Sequence, residues 1–214
     1  MEHIFIYINP VKLIVLGTFI YAFATLRCDI KEHKFLLAIL SLCFATELVN
    51  TVLILLGFRF NSVLSISNAI HIVLWLFLLR SVGDLKTIVV FCIAVFITFA
   101  AINFFFFEGM VFFNYLSFVV GALLYIALFI VESFRQLSVE NFTFFSSNSY
   151  LLLMTPLIFY FGLSIMFGFQ SFELTSTRIF GGIKLWDCAI YFTNIFYYSL
   201  VNIYIYREKR IYVR

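Results

Sequence analysis

Seven long runs of apolar residues, at about 8–27, 35–57, 62–82, 87–107, 111–134, 150–169 and 186–206, occupy most of this 214-residue chain. Each approaches or exceeds the roughly 20 apolar residues that cross a bilayer as a helix. The runs are continuous and do not alternate polar with apolar, so they fit helices and not the strands of a transmembrane barrel. A bundle of membrane-spanning helices is therefore expected, all-α and forming a single transmembrane domain over residues 1–214. Glu108 and Gly109 are the clearest separators of the fourth and fifth runs, so fusion of that pair would change the parity.

Composition excludes the alternatives. Hydrophobic residues make up 64% and charged residues 12%, against roughly 45–50% and about 25% in soluble domains. No connecting stretch exceeds about 17 residues, which leaves no room between the runs for a soluble catalytic domain or an ectodomain. Met1-Glu2-His3 lacks the basic start and small-residue cleavage site of a signal peptide, so the first run is expected to be retained. The 31 Phe and 12 Tyr, including Phe104 to Phe107 in succession, are expected to face lipid and to belt the interfaces.

The basic residues set an expected orientation. With the N-terminus outside, ten of the fourteen Lys and Arg fall on the inner side: Arg27, Lys31, Lys34, Arg80, Lys86, Arg135, Arg207, Lys209, Arg210 and Arg214. Lys12, Arg59, Arg178 and Lys184 remain outside. Because basic residues favour the cytoplasmic side, this division predicts N-out and C-in, and an odd number of spans. The Asn141-Phe142-Thr143 sequon then faces the cytoplasm and is not expected to carry glycan. The charges are scattered, without the basic face that nucleic-acid binding requires. Cys28, Cys43, Cys92 and Cys188 form no CxxC pair, so neither a metal nor another cofactor is expected. The lipid bilayer is the expected medium, with a membrane or cytoplasmic signalling protein as partner; the sequence leaves the oligomeric state open.

Ionisable residues inside a span cost at least roughly 2.5–3.5 kcal/mol, which makes them the place to look for function. Glu47 lies near the middle of the second run, where Cys43, Glu47, Asn50 and Ile54 share a helical face. The third run carries Asn68, His71 and Trp75 on one face. Joined by the short Phe58-Arg59-Phe60-Asn61 turn, these two helices are expected to be antiparallel neighbours, with Glu47 and His71 close enough for a direct or water-bridged hydrogen bond. Such a pair can relay a proton, anchor a ligand or sense pH. It can equally be polar glue between two helices.

Two further polar stripes are expected to turn inward. Asp187, Tyr191, Asn194, Tyr198 and Asn202 recur at spacings of four, three, four and four on the last run. On the fifth run Asn114, Ser117 or Phe118, Gly121, Tyr125, Leu128 and Glu132 do the same, Gly121 permitting close helix approach. The expected arrangement is a cavity opening outward, lined by both stripes, with Glu47 and His71 at its floor. Asp187 and Glu132, near opposite ends, read as solvated interface charges. Pro156, with Gly162 and Gly168 after it, marks either a kink or a tolerated irregularity.

Known reaction motifs are missing. The chain has no HExxH, GxSxG or Walker loop, no intramembrane aspartate pair, no lysine inside the last run, and neither the Asp-Arg-Tyr nor the Asn-Pro-x-x-Tyr receptor signature. The segments Leu157-Ile158-Phe159-Tyr160-Phe161-Gly162, Tyr191-Phe192-Thr193-Asn194 and Ile203-Tyr204-Ile205-Tyr206-Arg207-Glu208 resemble small multi-pass bacterial membrane proteins associated with sensor histidine kinases. The general plan is similar to the seven-helix input modules of those kinases. The chain carries no kinase domain, so the resemblance implies a separate sensory or accessory subunit of the bacterial inner membrane. The readings left open are a sensing or accessory subunit that binds a small or lipophilic ligand between helices, a small transporter or channel, and an intramembrane lipid-modifying enzyme with Glu47 and His71 as its acid/base pair.

Overall fold

The computed structural model describes residues 10–58, 61–168, 177–179 and 182–212. Its elements are α1 (Pro10–Thr25), α2 (Lys31–Leu55), α3 (Asn61–Val82), α4 (Lys86–Ile102), a π-helical turn continuing it (Asn103–Phe107), α5 (Tyr115–Ser138), the short α6 (Phe142–Ser146), α7 (Asn148–Gly168), β1 (Arg178–Ile179), β2 (Ile183–Lys184) and α8 (Leu185–Tyr212). The two strands form an antiparallel ribbon before α8, with Arg178 opposite Lys184.

Among the described residues, six helices are long and apolar enough to cross a bilayer: α2, α3, α4 with its π turn, α5, α7 and α8. The fold is thus an all-α, multi-pass membrane architecture. Seven helices of this kind were expected, but α1 is 16 residues long, short of the roughly 20 required. Its helix stops at Thr25, and residues 8 and 9 of the expected span lie outside the described residues. Arg59, Arg214 and much of the 170–185 loop, which entered the charge and loop readings, lie outside them as well.

Consecutive helices alternate in direction. The ends of α2, α4 and α7 lie with the starts of α1, α3, α5 and α8 at one end of the bundle, here called the α8-start end. The opposite end carries α6, Arg27, Arg80, Lys86 and Arg135. Helix α3 sits centrally and packs against α2, α4, α5 and α7, while α8 packs on α7 and α1. Exposed Phe91, Phe106, Phe134, Phe161 and Phe192 cover the outer faces, as expected for helices that shed water and face lipid.

Small residues set the closest approaches. A methyl group on Gly121 of α5 would stand 2.6 Å from the Phe96 ring and 2.7 Å from Ile72, so glycine lets α5 reach α3 and α4. A methyl on Gly162 would meet Thr193 at 2.6 Å across the α7–α8 contact. Pro156 lies inside α7, and the helix continues through it.

Carboxylates close several helix ends. Glu132, 1% exposed near the end of α5, accepts the backbone N–H of Asp84 at 3.1 Å and of Leu85 at 3.3 Å, just before α4. The side-chain amide of Gln136 donates to the same carboxylate at 2.7 Å. Glu132 is therefore a buried helix cap and not the solvated interface charge expected, because α5 brings it beneath unpaired N–H groups that favour a negative partner. At the other end of this hairpin, Glu108 accepts the N–H of Leu116 at 3.1 Å and the Asn103 amide at 2.5 Å.

Candidate functional site

Helices α1, α2, α3, α7 and α8 enclose a cavity of about 120 Å³ in the half of the bundle nearer the α8-start end. Its polar wall comprises Cys43, Thr46 and Glu47 from α2, Ser67, Asn68 and His71 from α3, and Asn194, Tyr197 and Tyr198 from α8. Val11, Val15 and Phe159 supply apolar wall. The space is polar and has room for several waters or a small ligand.

Helical spacing explains this assembly. Cys43, Thr46 and Glu47 lie three and four residues apart on α2, as do Leu64, Ser67, Asn68 and His71 on α3. The hydroxyl of Thr46 donates to Ser67 at 2.9 Å and bridges the two helices. Tyr198 of α8 and Cys43 of α2 line the same wall of the cavity. One turn beyond Glu47, Lys12 Nζ donates to Thr51 Oγ1 at 2.8 Å and pins α1 to α2. Its ammonium supplies positive charge felt at Glu47.

The carboxylate of Glu47 has no hydrogen bond among the described residues. Every other buried or half-buried glutamate that is described has one: Glu32 with Ser149, Glu108 and Glu132 at helix starts, and Glu208 with His33 and Asn148. Glu47 is half-buried, in the middle of α2. It differs from the others in facing a cavity with its acceptors unspent.

His71 lies on the wall of the same cavity, and no hydrogen bond joins it to Glu47 among the described residues. The imidazole is instead held by three aromatic side chains. Trp75 Nε1 donates to His71 Nε2 at 3.2 Å, Tyr197 Oη lies 3.4 Å from that nitrogen, and Tyr160 Oη lies 3.2 Å from Nδ1. An indole N–H only donates, so Nε2 accepts; the neutral ring then carries its proton on Nδ1 and offers it to Tyr160. Trp75, Tyr125, Tyr160 and Tyr197 are each no more than 2% exposed and pack edge to face with one another, closing the cavity on its deep side.

The remaining expected site residues separate. Asn50 is half-buried, and its Oδ1 lacks a hydrogen-bond partner among the described residues. Asn202 donates to Thr18 at 2.9 Å and joins α8 to α1, away from the cavity wall. Tyr191 is half-buried and Asp187 is exposed. Asn114 and Ser117 line a different groove, and Tyr125, which donates to the Leu153 carbonyl at 2.7 Å, belongs to the aromatic floor. The fifth-helix stripe is buried as expected but does not share the Glu47 cavity, because α3 and the aromatic floor stand between them. Sequence reading missed Lys12, Thr46, Ser67, Tyr160 and Tyr197. Tyr197 lies next to Tyr198 of the polar stripe on α8, and a bulky aromatic there carries no polar periodicity of its own.

The chain matches no family model, no curated protein and no solved structure.

Proposed function

We propose that the protein is a membrane-embedded sensory or accessory subunit that binds a small polar ligand between helices at Glu47 and passes the change to a partner protein. The observation that carries this reading is the Glu47 carboxylate on the wall of the polar cavity, which has no hydrogen bond among the described residues. A half-buried carboxylate whose oxygens accept no hydrogen bond among the described residues is costly even with the Lys12 charge nearby, and ligand binding would offset the cost. Phe159, Tyr197 and Tyr198 beside it provide aromatic faces, which together with a carboxylate suit a small cationic or hydrogen-bonding ligand.

Coupling is supported by α8. The same helix contributes Asn194, Tyr197 and Tyr198 to the cavity and ends with Glu208, Lys209 and Arg210 at the opposite end. A shift of α8 at the cavity is therefore felt at the basic end, where a signalling partner would dock. We place that end in the cytoplasm of a bacterial inner membrane, with α1 completing seven spans and the N-terminus outside; the uneven division of Lys and Arg supports this. The resemblance to proteins associated with sensor histidine kinases would make such a kinase the partner.

The transporter reading requires the packed floor of Trp75, Tyr125, Tyr160 and Tyr197 to part. The enzyme reading requires His71 to give up the indole bond before Nε2 can take a proton.

Ligand-induced shifts in unfolding temperature test the proposal. The purified protein in detergent is titrated with a panel of small amines, amino acids and alcohols. At least one compound should raise the midpoint of the wild type and leave that of Glu47→Gln unmoved, while Glu47→Gln alone unfolds close to the wild type. A response that survives in both Glu47→Gln and Glu47→Leu would overturn the site. Solute flux through liposomes bearing the purified protein would favour transport.

A further inference from the structure

Among the described residues that line the cavity between α1, α2, α3, α7 and α8, Glu47 alone carries a formal charge. His71 is the other ionisable base on the wall, and its Nε2 accepts the Trp75 indole N–H, so the ring is neutral. An anion here would meet a like charge. A neutral ligand would leave the carboxylate uncompensated inside the bundle, which is costly. Lys12 acts on Glu47 only through its field: its Nζ is held by Thr51 Oγ1 at 2.8 Å, one turn nearer the α8-start end, and it makes no ion pair with Glu47 among the described residues. The charge balance of the wall therefore favours a cation.

The rest of the wall selects the kind of cation. No group of three or more His, Cys, Asp or Glu side chains among the described residues could hold a metal ion. Val11, Val15, Leu42 and Leu64 make part of the wall apolar, which suits a carbon chain. Asn194 spends its Nδ2 on the Ile190 carbonyl at 2.8 Å, and its Oδ1 has no partner among the described residues. Asn68, half-buried on the same wall, makes no hydrogen bond among them. Glu47, Asn68 and Asn194 thus offer acceptors from α2, α3 and α8, matching the three N–H donors of a primary ammonium. A quaternary ammonium has no N–H to give them. Phe159, Tyr197 and Tyr198 pack on one another, with ring centroids 5.2 and 4.9 Å apart, and leave no open aromatic cage for such a cation. A second ammonium on the ligand would find no second carboxylate among the described lining residues.

We infer, on the footing of the Glu47 ligand site proposed above, that the ligand is a small primary monoamine. Its ammonium is held by Glu47, Asn68 and Asn194, and its short carbon chain lies against the valine and leucine side chains of α1, α2 and α3. Lys12 is a like charge to this ligand, so removing it should tighten binding. For a zwitterion, whose carboxylate Lys12 would attract, the same change should weaken binding.

Isothermal titration calorimetry on the full chain in detergent, at fixed ionic strength and neutral pH, compares propylammonium with 1-propanol, tetramethylammonium and alanine. One propylammonium should bind per chain, more tightly than the other three. Glu47→Gln should weaken it at least about tenfold, the lower worth of a hydrogen bond to a charged group, and Lys12→Met should strengthen it. Should Glu47→Gln fail to fold, Asn194→Ala should weaken propylammonium by about fivefold and leave tetramethylammonium unchanged. Tighter binding of alanine or 1-propanol, displacement of propylammonium by an equal concentration of sodium ion, or no binding of propylammonium would overturn the amine class; a response of those other probes that is lost in Glu47→Gln would still keep the Glu47 site. Propylammonium binding unchanged in both Glu47→Gln and Asn194→Ala would overturn the class and the site together.

Discussion

The carboxylate of Glu132 accepts the backbone N–H of Asp84 at 3.1 Å, so the end of α5 caps the start of α4. Gly83 makes this possible: a methyl group there would lie 2.9 Å from the Glu132 carboxyl carbon and 3.0 Å from Oε2.

Gly83→Ala should therefore push the carboxylate off Asp84 and Leu85, and Glu132→Ala should leave those N–H groups and Gln136 unpaired. Each is expected to destabilise by about 1–3 kcal/mol, the cost of unpaired buried polar groups. Glu132→Gln keeps one acceptor oxygen but turns its NH2 toward a donor that the second oxygen served, so it should cost more than the loss of charge alone, about 0.3–1 kcal/mol, and less than Glu132→Ala. Thermal unfolding in detergent orders the three variants, and a Glu132→Ala midpoint at or above the Glu132→Gln one contradicts the cap.

A second prediction concerns the tautomer of His71. Trp75→Phe removes the donor to Nε2 and should alter the imidazole more than it alters the fold. Nitrogen NMR on labelled histidine should show Nδ1 protonated in the wild type. A spectrum with the proton on Nε2 would mean that the Trp75 bond is absent.

The third prediction places a clamp at the basic end. His33, 1% exposed, lies with Nε2 3.1 Å from Glu208 Oε2 and accepts the Arg27 N–H on Nδ1 at 3.1 Å; Asn148 donates to the other Glu208 oxygen. This joins α2, α7 and α8 at their ends. His33→Ala and Glu208→Ala should each destabilise, and the double variant should recover about 0.5–3 kcal/mol of the summed loss, as expected for contacting partners. Simple additivity in a double-mutant cycle would show that the two residues act separately.

Orientation gives the fourth. Reporter fusions after residue 138 and after residue 210 should both be active in the cytoplasm, since antiparallel alternation puts them at the same end of the bundle. A periplasm-active reporter at either position reverses the proposed orientation.

Membrane class and the positions of the six long helices were legible in the sequence, because long uninterrupted apolar runs leave the backbone no choice but internal hydrogen bonding in lipid. The inward faces of α5 and of much of α8 were legible for the same reason, through the periodicity of Asn114, Gly121 and Tyr125 and of Asn194, Tyr198 and Asn202. Periodicity names a face and not the neighbour it meets. Glu132 and Glu47 are both acidic residues within apolar runs, and only the packing of α5 over Gly83 makes one a cap while the other lines a cavity. Glu47 and His71 were placed at one depth by their short connecting turn, but the sequence could not reveal that Trp75, Tyr160 and Tyr197, from three helices, surround the imidazole. The division of polar residues between two spaces on opposite faces of α3 was likewise decided by tertiary contact, because hydrogen-bond partners 126 residues apart, as His71 and Tyr197 are, are chosen by helix packing alone.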